Sequence, residues 1–208
     1  MIELFKRYFD PCPLVAIIRG VTPDEVEMVG EAIFAAGIRI IEVPLNSPDP
    51  FESIRRLSAR MGERALIGAG TVLNVRQVRE VERAGGRLVV SPNTNPDVIR
   101  ATVHAGLVSA PGYFTPSEAF AALDAGATAL KLFPAEGASP AVVKAQRAVL
   151  PKDLPLLVVG GVSAGTMGPW LEAGASGFGL GSGVFSPGRS AEDSGKRAAT
   201  YVQALASM

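Results

Sequence analysis

Of the seven Ala-Gly pairs in this chain, five punctuate it at the ends of helical patterns: Ala36-Gly37, Ala84-Gly85, Ala105-Gly106, Ala125-Gly126 and Ala173-Gly174. Each closes a helical pattern and hands over to a short apolar run, as expected of a glycine just past a helix C-terminus. The result is a repeated strand–helix unit of roughly twenty to twenty-five residues. The apolar runs are Leu14–Ile18, Ile38–Pro44, Ala65–Gly70, Leu88–Ser91, Leu107–Pro111, Ala127–Phe133, Leu156–Val159 and Ser176–Leu180. They are apolar on both faces, which suits a parallel sheet covered by helices rather than a half-exposed antiparallel one. Eight such units closing on themselves make a (β/α)8 barrel, compact beside the usual ~250 residues. A short helix over Ile2–Phe9 precedes the first unit, and Thr22 is the predicted N-cap of the first barrel helix, with Pro23 in its first turn. An open doubly wound sheet is the competing architecture, but no Gly-x-Gly-x-x-Gly follows the first strand.

Composition narrows the partners. Lys+Arg and Asp+Glu both number 20, so no basic stripe points to nucleic acid and no charge imbalance points to a membrane surface. One cysteine (Cys12) and one histidine (His104) leave neither an internal disulfide nor a soft-ligand set for a metal. Cys12 reads as a small apolar filler and His104 as a helix-end residue. No apolar run reaches membrane-spanning length, and the charged, interrupted N-terminus does not read as a signal peptide. The expectation is one cytoplasmic barrel domain over residues 1–208.

In such a barrel the functional groups lie at the C-terminal ends of the strands. Those ends supply Arg19, Glu42, Asn46, Thr71, Pro92, Asn93 and Lys131. Lys131 sits inside Ala127-Thr-Ala-Leu-Lys-Leu-Phe-Pro134, where Ala129, Lys131 and Phe133 share one strand face. A lone lysine near a strand end usually snorkels to solvent. A buried one must find a partner, lose its proton or do chemistry. Glu42, embedded in Ile-Ile-Glu-Val-Pro, poses the same problem, and a structural Glu42–Lys131 ion pair is the plain alternative to a catalytic pair. After the last two strands, Gly160-Gly161 and Gly181-Ser182 fall where barrels often bind phosphate through backbone N–H groups.

Taken together, Glu42-Val-Pro-Leu-Asn-Ser47, Ile67-Gly-Ala-Gly-Thr-Val-Leu-Asn74, Ser91-Pro92, Leu130-Lys-Leu-Phe-Pro-Ala-Glu136 and Val159-Gly-Gly-Val162 resemble the 2-keto-3-deoxy-6-phosphogluconate and 6-phosphogalactonate aldolases. The match runs from about Leu14 to Phe185. The resemblance implies a barrel that assembles as a homotrimer, uses no cofactor and releases pyruvate from a phosphorylated keto acid. It assigns Lys131 as the Schiff-base lysine and Glu42 as the proton shuttle. Thr71, Pro92 and Phe133 would line the pyruvate pocket, and Ser182 with the paired glycines (Gly160, Gly161, Gly181) would hold the phosphate. Two positions depart from the gluconate branch and look like the galactonate branch. Asn46 stands where the former has arginine, leaving Arg19 as the candidate for the substrate carboxylate, and Val159 stands where it has threonine. Rival readings are the family's unphosphorylated branch, acting on 4-hydroxy-2-oxoglutarate, and a phosphosugar isomerase or epimerase on a similar barrel, which needs no buried lysine. A barrel that only binds a phosphorylated metabolite is the third.

Overall fold

In the computed structural model, which describes residues 1–208, every apolar run lies in one parallel sheet. The strands are β1 (Leu14–Ile17), β2 (Ile40–Pro44), β3 (Leu66–Gly70), β4 (Leu88–Val90), β5 (Val108–Ala110), β6 (Gly112–Tyr113), β7 (Leu130–Leu132), β8 (Leu156–Val159) and β9 (Gly177–Leu180). The helices are α1 (Ile2–Phe9), α2 (Val26–Ala35), α3 (Pro50–Met61), α4 (Val75–Arg83), α5 (Pro96–His104), α6 (Pro116–Asp124), α7 (Pro140–Arg147), α8 (Met167–Glu172) and α9 (Ala191–Ala206). No helix is long and apolar enough to cross a membrane.

The sheet order β5-β4-β3-β2-β1-β9-β8-β7-β6 begins and ends on consecutive pieces of chain. Pro111, which has no N–H to give a ladder, separates them, so the expected fifth strand is two short segments. β5 pairs with β4 and β6 with β7. The junction is stitched by Gly112 N–H to Ser91 O (2.9 Å) and Lys131 N–H to Pro111 O (3.0 Å). The ring is therefore an eight-stranded barrel. All five glycines after the Ala-Gly helices have positive φ, from +70° to +117°, as the repeat requires.

One boundary differs from expectation. Thr22 does not cap α2. Its N–H and hydroxyl both donate to the Glu25 carboxylate (2.9 and 3.0 Å), turning the hydroxyl away from the backbone of the first turn. Residues 23–25 form a turn and the helix begins at Val26.

Strand alternation sorts the core into two clusters. Leu14, Ala16, Ile41, Val43, Leu130, Leu132 and Phe178 face outward and pack with the helices. Val15, Ile17, Ile40, Leu66, Leu88, Val108, Ala129 and Leu157 face inward and fill the barrel. Phe5, Tyr8 and Phe9 of α1 join the inner cluster, so the leading helix plugs the N-terminal end. Phe5 and Phe9 stack with ring centres 4.7 Å apart. With the bottom closed and the middle filled by aliphatic side chains, only the C-terminal mouth is left open for chemistry. Cys12 is a buried free thiol and His104 ends α5 in solvent.

Candidate active site

A cavity of about 530 Å³ opens at that mouth, within the usual range for a small-molecule site. Its wall includes Arg19, Lys131, Phe133, Val159, Gly160, Gly161, Gly181 and Ser182, eight of the residues selected from the sequence. Glycine shapes this space. Phe178 and Leu180 of β9 point outward, so Gly177, Gly179 and Gly181 point in. A side chain on Gly179 would press on Val159 (2.7 Å) and Ile17 (3.3 Å), while one on Gly181 would project into the open cavity. The glycines of the last strand thus hollow out the barrel above its aliphatic middle.

Lys131 is 7% exposed and Glu42 is 2% exposed, and both project inward from β7 and β2. No carboxylate oxygen lies within 4.0 Å of Lys131 Nζ, so the structural ion pair is not formed. The ammonium lies instead 4.6 Å from the centre of the Phe133 ring. Burial lowers the Lys131 pKa and the nearby Arg19 charge lowers it further, against an opposing pull from Glu42. Burial also pushes Glu42 up to about 7, even though Lys131 and Arg19 both act to lower it. One carboxylate oxygen, Oε2, is fully enclosed with no hydrogen-bond partner. Gly70 of β3 explains how it fits, since any Cβ there would overlap the Glu42 carboxylate.

The other predicted residues form a second group at the rim. The Arg19 guanidinium donates to Asn46 Oδ1 and, at 3.5 Å, to Thr71 Oγ1. Thr71 holds φ at +57°, an uncommon conformation for a β-branched residue and the kind of local strain that clusters at functional sites. Pro92 is half-buried at the end of β4, its carbonyl against Gly112, and lies outside the cavity lining.

Three residues near the cavity escaped the sequence reading. Tyr201 of α9 donates to Val162 O (3.3 Å), bracing the loop after β8. Arg189 donates to Ser182 O (2.8 Å) and pairs with Asp193 (3.2 Å), bracing the loop after β9. Glu136, one turn past Lys131, lies across Gly160 and Gly161. Glu136 had a signal, because it ends a motif already singled out. Tyr201 and Arg189 had none, since they act through backbone carbonyls that the fold alone brings near.

Known proteins resemble this chain over most of its length. The family model described as "KDPG and KHG aldolase" matches residues 6–196. A Rhizobium meliloti (strain 1021) protein named probable 2-dehydro-3-deoxy-6-phosphogalactonate aldolase is 50% identical over 186 residues, covering 89% of this chain and 88% of that one. An Escherichia coli (strain K12) protein named 2-dehydro-3-deoxy-6-phosphogalactonate aldolase is 45% identical over 192 residues, covering 92% and 94%. A solved structure described as native KDPGal superposes with a TM-score of 0.92 at 45% identity, covering 94% of this chain and 95% of that one.

Proposed function

Since this chain belongs to the KDPG and KHG aldolase family, and is therefore a carbon–carbon lyase acting on small keto acids, we propose that its substrate is 2-keto-3-deoxy-6-phosphogalactonate, cleaved to pyruvate and glyceraldehyde 3-phosphate. The observation that carries the mechanism is a buried lysine with a lowered pKa and no carboxylate within ion-pair distance, beside a carboxyl poised near neutrality. Unprotonated Lys131 Nζ attacks the C2 carbonyl, and loss of water from the carbinolamine gives an iminium. Glu42 takes the C4 hydroxyl proton, directly or through water. The C3–C4 bond then breaks, its electrons pass into the iminium as an enamine, and the phosphorylated aldehyde departs. Protonation at C3 and hydrolysis release pyruvate and restore the lysine.

Arg19, held between Asn46 and Thr71, takes the substrate carboxylate, and Thr71 and Phe133 flank the pyruvyl group, with Pro92 behind them outside the cavity lining. Ser182, with the backbone of Gly160, Gly161 and Gly181, takes the phosphate, its carbonyl fixed from behind by Arg189. The assembly that follows from the family resemblance is a homotrimer.

The choice of epimer rests on Val159. The gluconate and galactonate substrates differ only at C4, and a hydroxyl before Gly160 would reward one configuration. Val159 presents methyl groups to the cavity and cannot do so. An apolar wall discriminates by only about 1–3 kcal/mol, so some gluconate cleavage should survive. Val159→Thr is expected to shift the kcat/KM ratio toward phosphogluconate by roughly tenfold, the worth of one neutral hydrogen bond. Side-by-side assays on the two epimers check it, and an unmoved ratio would mean that C4 is read elsewhere, with Asn46 the next residue to change.

Gly70 gives a separate test of the Glu42 role. Gly70→Ala forces a methyl into the volume of the carboxylate, and a displacement of about 1 Å at a catalytic group can cost on the order of 100-fold. The expected result is a fall in kcat of that size with circular dichroism unchanged. Full activity would show that the position of Glu42 does not matter.

A further inference from the structure

The two glycine-rich loops of the cavity carry free donors. The backbone N–H groups of Gly160, Gly161, Val162, Ser182 and Gly183 donate to no acceptor within the chain, and all five residues line the cavity. Donors split between two loops can converge on one anion only if the loops stand at a fixed distance. The sheet does not set that distance. The last register pair of β8 and β9 is Val159 with Gly179. Beyond it, no backbone hydrogen bond joins residues 160–163 to residues 181–186.

Tyr201 of α9 touches both loops. Its hydroxyl donates to Val162 O (3.3 Å) on the first. On the second, any Cβ at Gly183 would overlap the same hydroxyl and lie 3.0 Å from Cζ. Gly183 has no positive φ, so its backbone does not demand glycine; the space taken by Tyr201 does. Tyr201 is 8% exposed, and burial pushes its pKa up, so the hydroxyl keeps the proton it donates. The helix behind it is firmly seated, with Ser194 and Ala198 fully buried and Gly195 against Ala32 of α2. Arg189, just before α9, ties back Ser182 O (2.8 Å), so the second loop is held at two points. Tyr201 makes no hydrogen bond to Lys131, Glu42 or Arg19. Its influence falls on the loops and not on the chemistry at C2.

We propose that Tyr201 is a positioning residue that sets the spacing of the loops after β8 and β9, so that the substrate phosphate meets the N–H groups of both at once. This rests on the reading of those loops as the phosphate site, and it names what holds them in register. The hydroxyl is the working part, since a ring alone would pack equally well as phenylalanine.

The test compares condensation of pyruvate with glyceraldehyde 3-phosphate and with glyceraldehyde. The ratio of the two kcat/KM values reads the phosphate contribution and does not depend on how much of a variant is folded. In Tyr201→Phe that ratio is expected to fall roughly threefold to tenfold, the worth of one neutral hydrogen bond. Deuterium exchange into pyruvate, which uses neither aldehyde, should stay within twofold of the parent. Gly183→Ala pushes the hydroxyl off Val162 from the other loop and should lower the ratio by a similar factor. Combined, the two changes should cost clearly less than the product of their separate falls, because both break the same tie. An unchanged ratio in Tyr201→Phe overturns the proposal, even where the melting temperature drops, since the tyrosine then only packs. Equal losses on both aldehydes with lost exchange overturn it too, as do two falls that multiply in full. Ser182→Asp is the reference, because a carboxylate beside the phosphate lowers the ratio if the site is correctly placed. If it does so and Tyr201→Phe does not, this proposal fails alone. If Ser182→Asp leaves the ratio unmoved, the phosphate reading fails and takes the proposal with it.

Discussion

A Lys131→Arg variant is expected to lose roughly 10⁵- to 10⁶-fold in kcat, the scale on which covalent nucleophiles fail when removed, while keeping its fold. The guanidinium stays protonated at any workable pH and is a poor nucleophile, so charge is retained and imine formation is not. The parent treated with borohydride and pyruvate should gain the mass of a reduced pyruvyl adduct, and the variant should gain nothing. Lys131→Met separates chemistry from packing. Burial depresses the Lys131 pKa, so at pH below that depressed value the native state carries the cost of an enclosed ammonium. That cost fades as pH rises through the folded-state pKa toward 10.5, the value the lysine has when unfolded. Methionine fills a similar volume without charge. It should therefore melt no lower than the parent at neutral pH while being equally inactive. Activity within tenfold of the parent in either variant would remove Lys131 from the mechanism.

Much of this architecture could be read from periodicity because the relevant physics is local. Positive-φ glycines end helices wherever they occur, and runs that are apolar on both faces have few alternatives to a covered parallel sheet. Strand parity put Lys131 on one face with Ala129 and Phe133, since successive residues must point to opposite faces, and the packing of the folded barrel shows that this face is the inner one. Closure was less legible. Pro111 divides the fifth strand, and whether its flanking segments still bridge β4 and β7 is a matter of three-dimensional register. The Thr22 cap failed for a related reason. A glutamate three residues on captured both donors of the threonine, and nothing in composition decides between that turn and a helix start. Tyr201, Arg189 and the crowding of Gly70 by Glu42 were invisible in sequence because each depends on distances across the barrel. The clearest such case is the Lys131–Glu42 pair. Sequence supplied the opposing influences on the lysine, but the separation beyond 4.0 Å and the depth of burial decide that desolvation prevails.

Glu42→Gln is expected to cost about 10²- to 10⁴-fold in kcat, the usual contribution of a positioned acid–base group, and to make the protein more stable at neutral pH. The two effects have one origin. Burial raises the Glu42 pKa from 4.5 to about 7, so between those values the native state holds a proton that the unfolded chain has released. Stability therefore falls as pH rises through that window and levels off above about 7. The loss amounts to about 3 kcal/mol for a shift of this size. Glutamine cannot ionise, so its stability should not fall across the window, and at pH 8 its melting temperature should exceed that of the parent. Catalysis has the opposite requirement. To take the C4 proton Glu42 must be charged, and parental kcat/KM for cleavage should climb as pH rises through about 7. That limb should be absent from Glu42→Gln. Imine formation by itself should persist, because removing the Glu42 charge removes the one influence that raises the Lys131 pKa. Borohydride trapping with pyruvate should thus still label the variant. A variant that loses stability at every pH, or keeps the limb near pH 7, would mean that another group sets the protonation step. If both results go as expected, the unpartnered Oε2 is a stability cost that the barrel carries because the reaction needs a base there.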